Sequence, residues 1–99
     1  MSSDTSDRLQ HDLELALVVW RGVPDMLASW EDPDQWDRES KMNELLEWPM
    51  TDSRVERLRK ARSEGRLAPE QQRLMDELEA LIARWGPQWH AIVYSTQPL

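Results

Sequence analysis

Six tryptophans in 99 residues, with one tyrosine, no phenylalanine and no cysteine, limit this chain to folds that can house several large rings in one small core. A chain of this length builds one domain around one core. Each indole that goes inside removes about 150–250 Å² from water, more than any aliphatic side chain contributes. Several of the six must therefore be interior. Tryptophan is also strongly enriched at binding hot spots, so any ring not needed for packing becomes a candidate for contact with a partner.

Prolines divide the chain. Pro24, Pro33, Pro49, Pro69 and Pro87 fall where one run of helically spaced apolar residues gives way to the next, and proline is favoured at the first position of a helix. No alternating pattern of useful length lies between them, so the fold class is all-α: a compact bundle of four to six short helices with a Trp-rich core. The expected helices cover 6–21, closed by Gly22; 24–30; 33–48, capped by Asp32; 52–64, opened by a Ser53/Glu56 capping box and closed by Gly65; and 69–85. The last carries the clearest amphipathic stripe, Leu74, Met75, Leu78, Leu81, Ile82 and Trp85, which marks Trp85 as a core ring. One domain over 1–99 is expected, with 1–5 disordered and 87–99 a tail of either helical turns or extended chain.

Charge narrows the function classes. A net charge of −7 disfavours nucleic acid and anionic lipid as partners. The MSSDTSD start has no apolar leader, and the longest apolar run, Leu15 to Trp20, is too short to cross a bilayer. A cytoplasmic protein without membrane contact is the expectation. Locally the charge is uneven, with acids concentrated between Asp25 and Glu47 and bases between Arg54 and Arg66. Arg54, Arg57, Arg59, Lys60 and Arg62 are the candidate secondary, basic contact; complementary solvated faces within the fold or across a dimer are the simpler account of them.

The principal candidate contact is the segment Trp30, Glu31, Asp32, Asp34, Trp36 and Asp37. An unbroken helix over 33–48 turns Trp36 away from its own apolar stripe, and two aromatic anchors rimmed by acids match a protein-binding hot spot. A third surface is the run Leu15, Val18 and Val19, in a stretch of the first helix that is apolar on all sides; such a helix is either central in the bundle or partly covered by a second subunit, and a homodimer is predicted.

Catalytic and cofactor chemistry find no motif. There is no phosphate loop, nucleophile elbow or dinucleotide fingerprint among three glycines. Asp7, His11 and Glu14 share a helix face, a spacing common by chance on charged helices, so no metal and no cofactor are expected. The sequence thus reads as a non-enzymatic, acidic protein–protein interaction module: an inhibitor, an adaptor, or an assembly factor or accessory subunit of a larger complex. Two alternatives stand beside it: a small-molecule or cation sensor with a Trp-lined pocket, and an acidic DNA mimic that inhibits a nucleic-acid-binding protein.

Overall fold

The computed structural model describes residues 3–95, and the side chains of 7–94. All of the regular structure is helical, as expected, but it is divided into three long helices: α1 (Ser3–Ser29), α2 (Arg38–Ser63) and α3 (Pro69–Ser95). They run up, down and up. Arg54 against Asp12 and Trp20 against Trp48 set α1 and α2 antiparallel, while Arg59 on Glu79 and Asp52 on His90 do the same for α2 and α3. The molecule is an elongated rod, 48 × 24 × 21 Å, its long axis slightly exceeding the ~40 Å rise of a helix of this length.

Pro24, Pro49 and Pro87 each lie inside a helix. This corrects the expectation of four to six short helices, and the physical reason is the spacing of the core residues. In α1 the interior positions Leu9, Leu13, Ala16, Trp20, Val23 and Leu27 alternate steps of four and three straight through Pro24, and Trp30 just past its end continues the series. In α3 the series Gln71, Met75, Leu78, Ile82, Trp85, Trp89 and Ile92 passes Pro87 unbroken. Alternate steps of three and four keep one seam facing two neighbours along the whole helix. Proline already has a helical φ, and it forfeits one N–H hydrogen bond and crowds one carbonyl. Packing along a continuous seam outweighs that loss. Pro49 and Pro87 both sit on the exposed side of their helices.

True ends occur elsewhere. Asp37, not Asp32, is the N-cap of α2, its carboxylate accepting the Ser40 N–H at 2.7 Å and its pKa held low by that bond. Ser53 and Glu56, expected to open a helix, lie in the middle of α2. At its C-terminus the Gly65 N–H donates to Arg62 O and the Arg66 N–H to Ala61 O, a Schellman pair that requires the left-handed φ of +71° at Gly65. Leu67 then tucks back into the core. Pro69 begins α3 at the first helical position, and the Gln71 side chain returns to accept the Ala68 N–H at 2.9 Å.

Gly22, expected as a helix stop, is interior to α1. Gly86 is interior to α3, where an added Cβ would stand 3.3 Å from Ile82 Cγ2 and 3.8 Å from Trp20 Cη2. There glycine spares Ile82 a tight contact while the Trp20 ring lies at ordinary van der Waals distance, and it does not break the helix. Residues 3–5, expected to be disordered, form the first turn of α1, and 87–95, left open between helix and extended chain, are the last turns of α3. The rest of those two stretches, 1–2 and 96–99, lies outside the described residues.

Candidate functional site

Five of the six tryptophans form one connected layer across the bundle. Trp36 packs on Trp30 (5.0 Å between ring centroids), Trp30 on Trp89 (5.1 Å), Trp89 on Trp48 (5.3 Å) and Trp48 on Trp20 (5.3 Å), mostly edge to face. Trp20, Trp48 and Trp89 are fully buried within helices α1, α2 and α3, so they do not plug helix ends. Trp85, expected as a core ring, is half-buried and lies under the Arg84 guanidinium at 4.9 Å.

This layer takes in the segment read as the principal contact. Trp30 is buried at 6% exposure, and the Lys41 ammonium stands 5.4 Å from its ring centroid. Trp36 is half-buried, and its indole N–H donates to Ser29 Oγ at 2.9 Å. Asp32 receives the Asp34 N–H, while Asp37 caps α2. Two of the acids therefore shape the loop, and Glu31 and Asp34 remain exposed without a side-chain partner among the described residues. The six residues are adjacent, as the sequence implied, but the two rings pack on each other, leaving Trp30 buried and Trp36 only partly open to solvent.

The basic run on α2 divides into two groups. Arg59 and Arg62 turn toward α3, where Arg59 forks onto Glu79 at 2.7–3.2 Å and Arg62 binds Asp76. The Glu79 and Glu56 carboxylates raise the Arg59 pKa further above its ordinary value. Arg54 meets Asp12 of α1 at 3.5 Å, close enough for charge attraction, although its buried Nε has no well-aligned acceptor. Arg57 and Lys60 are exposed and face a cleft shared with Arg8 and Arg66.

The third predicted surface is open. Leu15 is 36% and Val18 67% exposed, with Val19 half-buried against the core. Leu15 follows Asp12 by one turn on the flank of α1 that faces α2, and Met50 precedes Arg54 by one turn on the facing flank of α2. The Asp12–Arg54 contact therefore marks a seam that Leu15 and Met50 extend, with Val18 and Leu46 on the outer slope. Leu46 and Met50 are each 66% exposed, and Met42 continues the same stripe. Sequence reading missed the α2 half of this band because the half-polar run around it hid the spacing of four.

A polar network at the α2–α3 seam was also not anticipated. Asp52 accepts the Trp48 indole N–H at 3.1 Å, meets His90 Nε2 at 3.0 Å, and accepts the Tyr94 hydroxyl. These groups border a groove of about 270 Å³ that Trp20, Val55, Arg59 and Ile82 also line. Burial, then the hydrogen bond to Asp52 and its charge, push the Tyr94 pKa up to about 12. Because Tyr94 is the chain's single tyrosine, tyrosinate absorbance reads it alone. Its folded pKa lies above the unfolded value of about 10, so this phenol's contribution to stability is complete below pH 10 and declines as pH rises toward 12. In Asp52→Asn the titration midpoint should fall toward the unfolded value; a midpoint that stays put would show that Asp52 does not govern the phenol.

No group of three or more His, Cys, Asp or Glu side chains with metal-binding geometry occurs among the described residues, and Asp7, His11 and Glu14 do not assemble into one. Nor is any helix among them long and apolar enough to cross a membrane. No family model, no curated protein and no solved structure matches this chain.

Proposed function

We propose that this protein is a non-catalytic interaction module whose contact face is the apolar band Leu15, Val18, Leu46 and Met50 on α1 and α2, and that its occupant is a second copy of the chain. The observation that carries the reading is the exposure of these side chains along one side of the α1–α2 pair, Leu15 and Met50 on the seam and Val18 and Leu46 on its outer slope: four apolar groups in a short span of a rod only 24 Å across. Contiguous exposed apolar surface of this kind marks association. Two antiparallel helices meeting their own symmetry mate produce a four-helix layer, the simplest closed arrangement for a self-complementary face. Methionine on the stripe suits a surface that must adapt to a partner.

Other parts of the structure favour this over the alternatives. A cation sensor would need free aromatic faces, yet Trp30 and Trp36 cover each other and Lys41 already lies over Trp30. Asp52, the acid best placed for proton chemistry, has its oxygens engaged by three donors of its own chain. A homodimer could in turn serve as adaptor or accessory subunit through the exposed acids Glu31 and Asp34.

Sedimentation equilibrium at micromolar concentration should give the mass of a dimer for the wild-type chain. Val18→Asp with Leu46→Asp should give the monomer, with helical circular dichroism unchanged because both sites are exposed. A wild-type chain that stays monomeric to near-millimolar concentration would overturn the proposal.

A further inference from the structure

The end of the bundle opposite the α1–α2 loop carries a cleft of about 500 Å³ lined by Arg8, Leu9, Asp12, Arg57, Lys60 and Arg66. The fold brings these residues together from distant parts of the sequence. Antiparallel packing sets the start of α1 beside the last turns of α2, and the Gly65 turn sends Arg66 back toward the same opening. Its charge is the reverse of the whole chain's: four cations and one acid line the cleft, in a protein of net charge −7.

Ordinary ion pairing does not explain the arrangement. Arg59 and Arg62, on the same helix, each hold a carboxylate of α3. In the cleft, Asp12 is engaged by Arg54 and Arg66 has Glu64 at 2.7 Å, whereas Arg8, Arg57 and Lys60 have no ion pair among the described residues. Like charges held around one opening repel, and an anion between them removes that repulsion. The chemistry of the lining narrows the anion. Arginine forks match the paired oxygens of a phosphate, and a lysine adds a point charge. No aromatic ring lines the cleft to stack on a base. Its volume falls within the range of about 300–1,000 Å³ usual for small-ligand sites.

We propose that this cleft binds a small diphosphate-bearing ligand, recognised through its phosphates by Arg8, Arg57, Lys60 and Arg66. The inference does not depend on self-association, because every lining residue belongs to one chain.

Isothermal titration of the full chain with inorganic pyrophosphate is the test, run in parallel on Val18→Asp with Leu46→Asp so that binding is measured with and without the dimer. Saturable binding at one site per chain, weakening as salt is raised, is expected in both. Arg57→Gln with Lys60→Gln should weaken it about 30-fold or more, since each substitution removes a charge-assisted hydrogen bond. Arg73→Gln with Arg84→Gln, which removes the same charge from exposed positions that do not line the cleft, should change it less than about 3-fold. A nucleoside diphosphate should bind about as tightly as pyrophosphate, because nothing in the cleft reads a base. Absence of saturable pyrophosphate binding, or an equal loss in the Arg73/Arg84 control, overturns the proposal.

Discussion

Trp48→Ala is expected to lower the unfolding free energy by about 3–5 kcal/mol, the range found when a large buried aromatic is emptied from a core. Trp48 is 1% exposed and packs edge to face on both Trp20 and Trp89, so its loss leaves one cavity touching all three helices. Its indole N–H also donates to Asp52, and removing it takes a donor from the carboxylate that joins α2 to His90 and Tyr94. Out of a total of about 5–15 kcal/mol for a domain of this kind, that is about a fifth or more. The same truncation at Trp85, half-buried under Arg84, should cost less than half as much. Urea unfolding followed by circular dichroism measures both. Equal losses would mean that the Trp20–Trp48–Trp89 layer does not organise the core. Trp48→Phe keeps most of the ring and removes the donor, so the difference between Phe and Ala separates packing from hydrogen bonding.

The sequence disclosed the class of the fold and concealed its division. Apolar spacing of three and four is plain in α1 and α3, and in α3 it identifies Met75 and Leu78 as interior without the structure. α2 was harder to read. Its inward line includes Thr51, and its approach to α3 runs through the Arg59–Glu79 and Arg62–Asp76 pairs and Asp52, so polar residues occupy positions where apolar ones signal a helix face. Among the candidate surfaces, Leu15 and Val18 were legible because a helix apolar on every side must expose something. The Asp52 network was not. Its two halves are ordinary one-turn pairs, Trp48 with Asp52 and His90 with Tyr94, and only the α2–α3 register brings them together. The cleft at Arg8 was hidden likewise: Arg57 and Lys60 look no different from Arg59 and Arg62 until the partner helices are in place.

The prolines offer the sharpest test of that division. Had Pro49 and Pro87 stood at the first turns of separate short helices, replacing them with alanine would be neutral or would cost up to about 1 kcal/mol, because proline there meets no hydrogen-bond demand and restrains the unfolded chain. Inside continuous helices the sign reverses. Proline in a helix interior is about 3 kcal/mol worse than alanine, and the unfolded-state restraint returns no more than about 1 kcal/mol of that. Part of the remainder has already been relieved by local bending. Pro49→Ala with Pro87→Ala is therefore expected to raise stability by about 2–4 kcal/mol, as the new N–H groups donate to the carbonyls of Leu45 and Ala83. Both positions are exposed, so neither methyl meets a packed neighbour. For a chain of this size such a gain is a rise of roughly 8–32 °C in Tm, at about 4–8 °C per kcal/mol. A fall in Tm would instead show that the chain breaks at its prolines. The half-buried Pro24, next to Val23 in the core, should gain less, because straightening α1 there would move Trp20 and Val23 against the layer they complete.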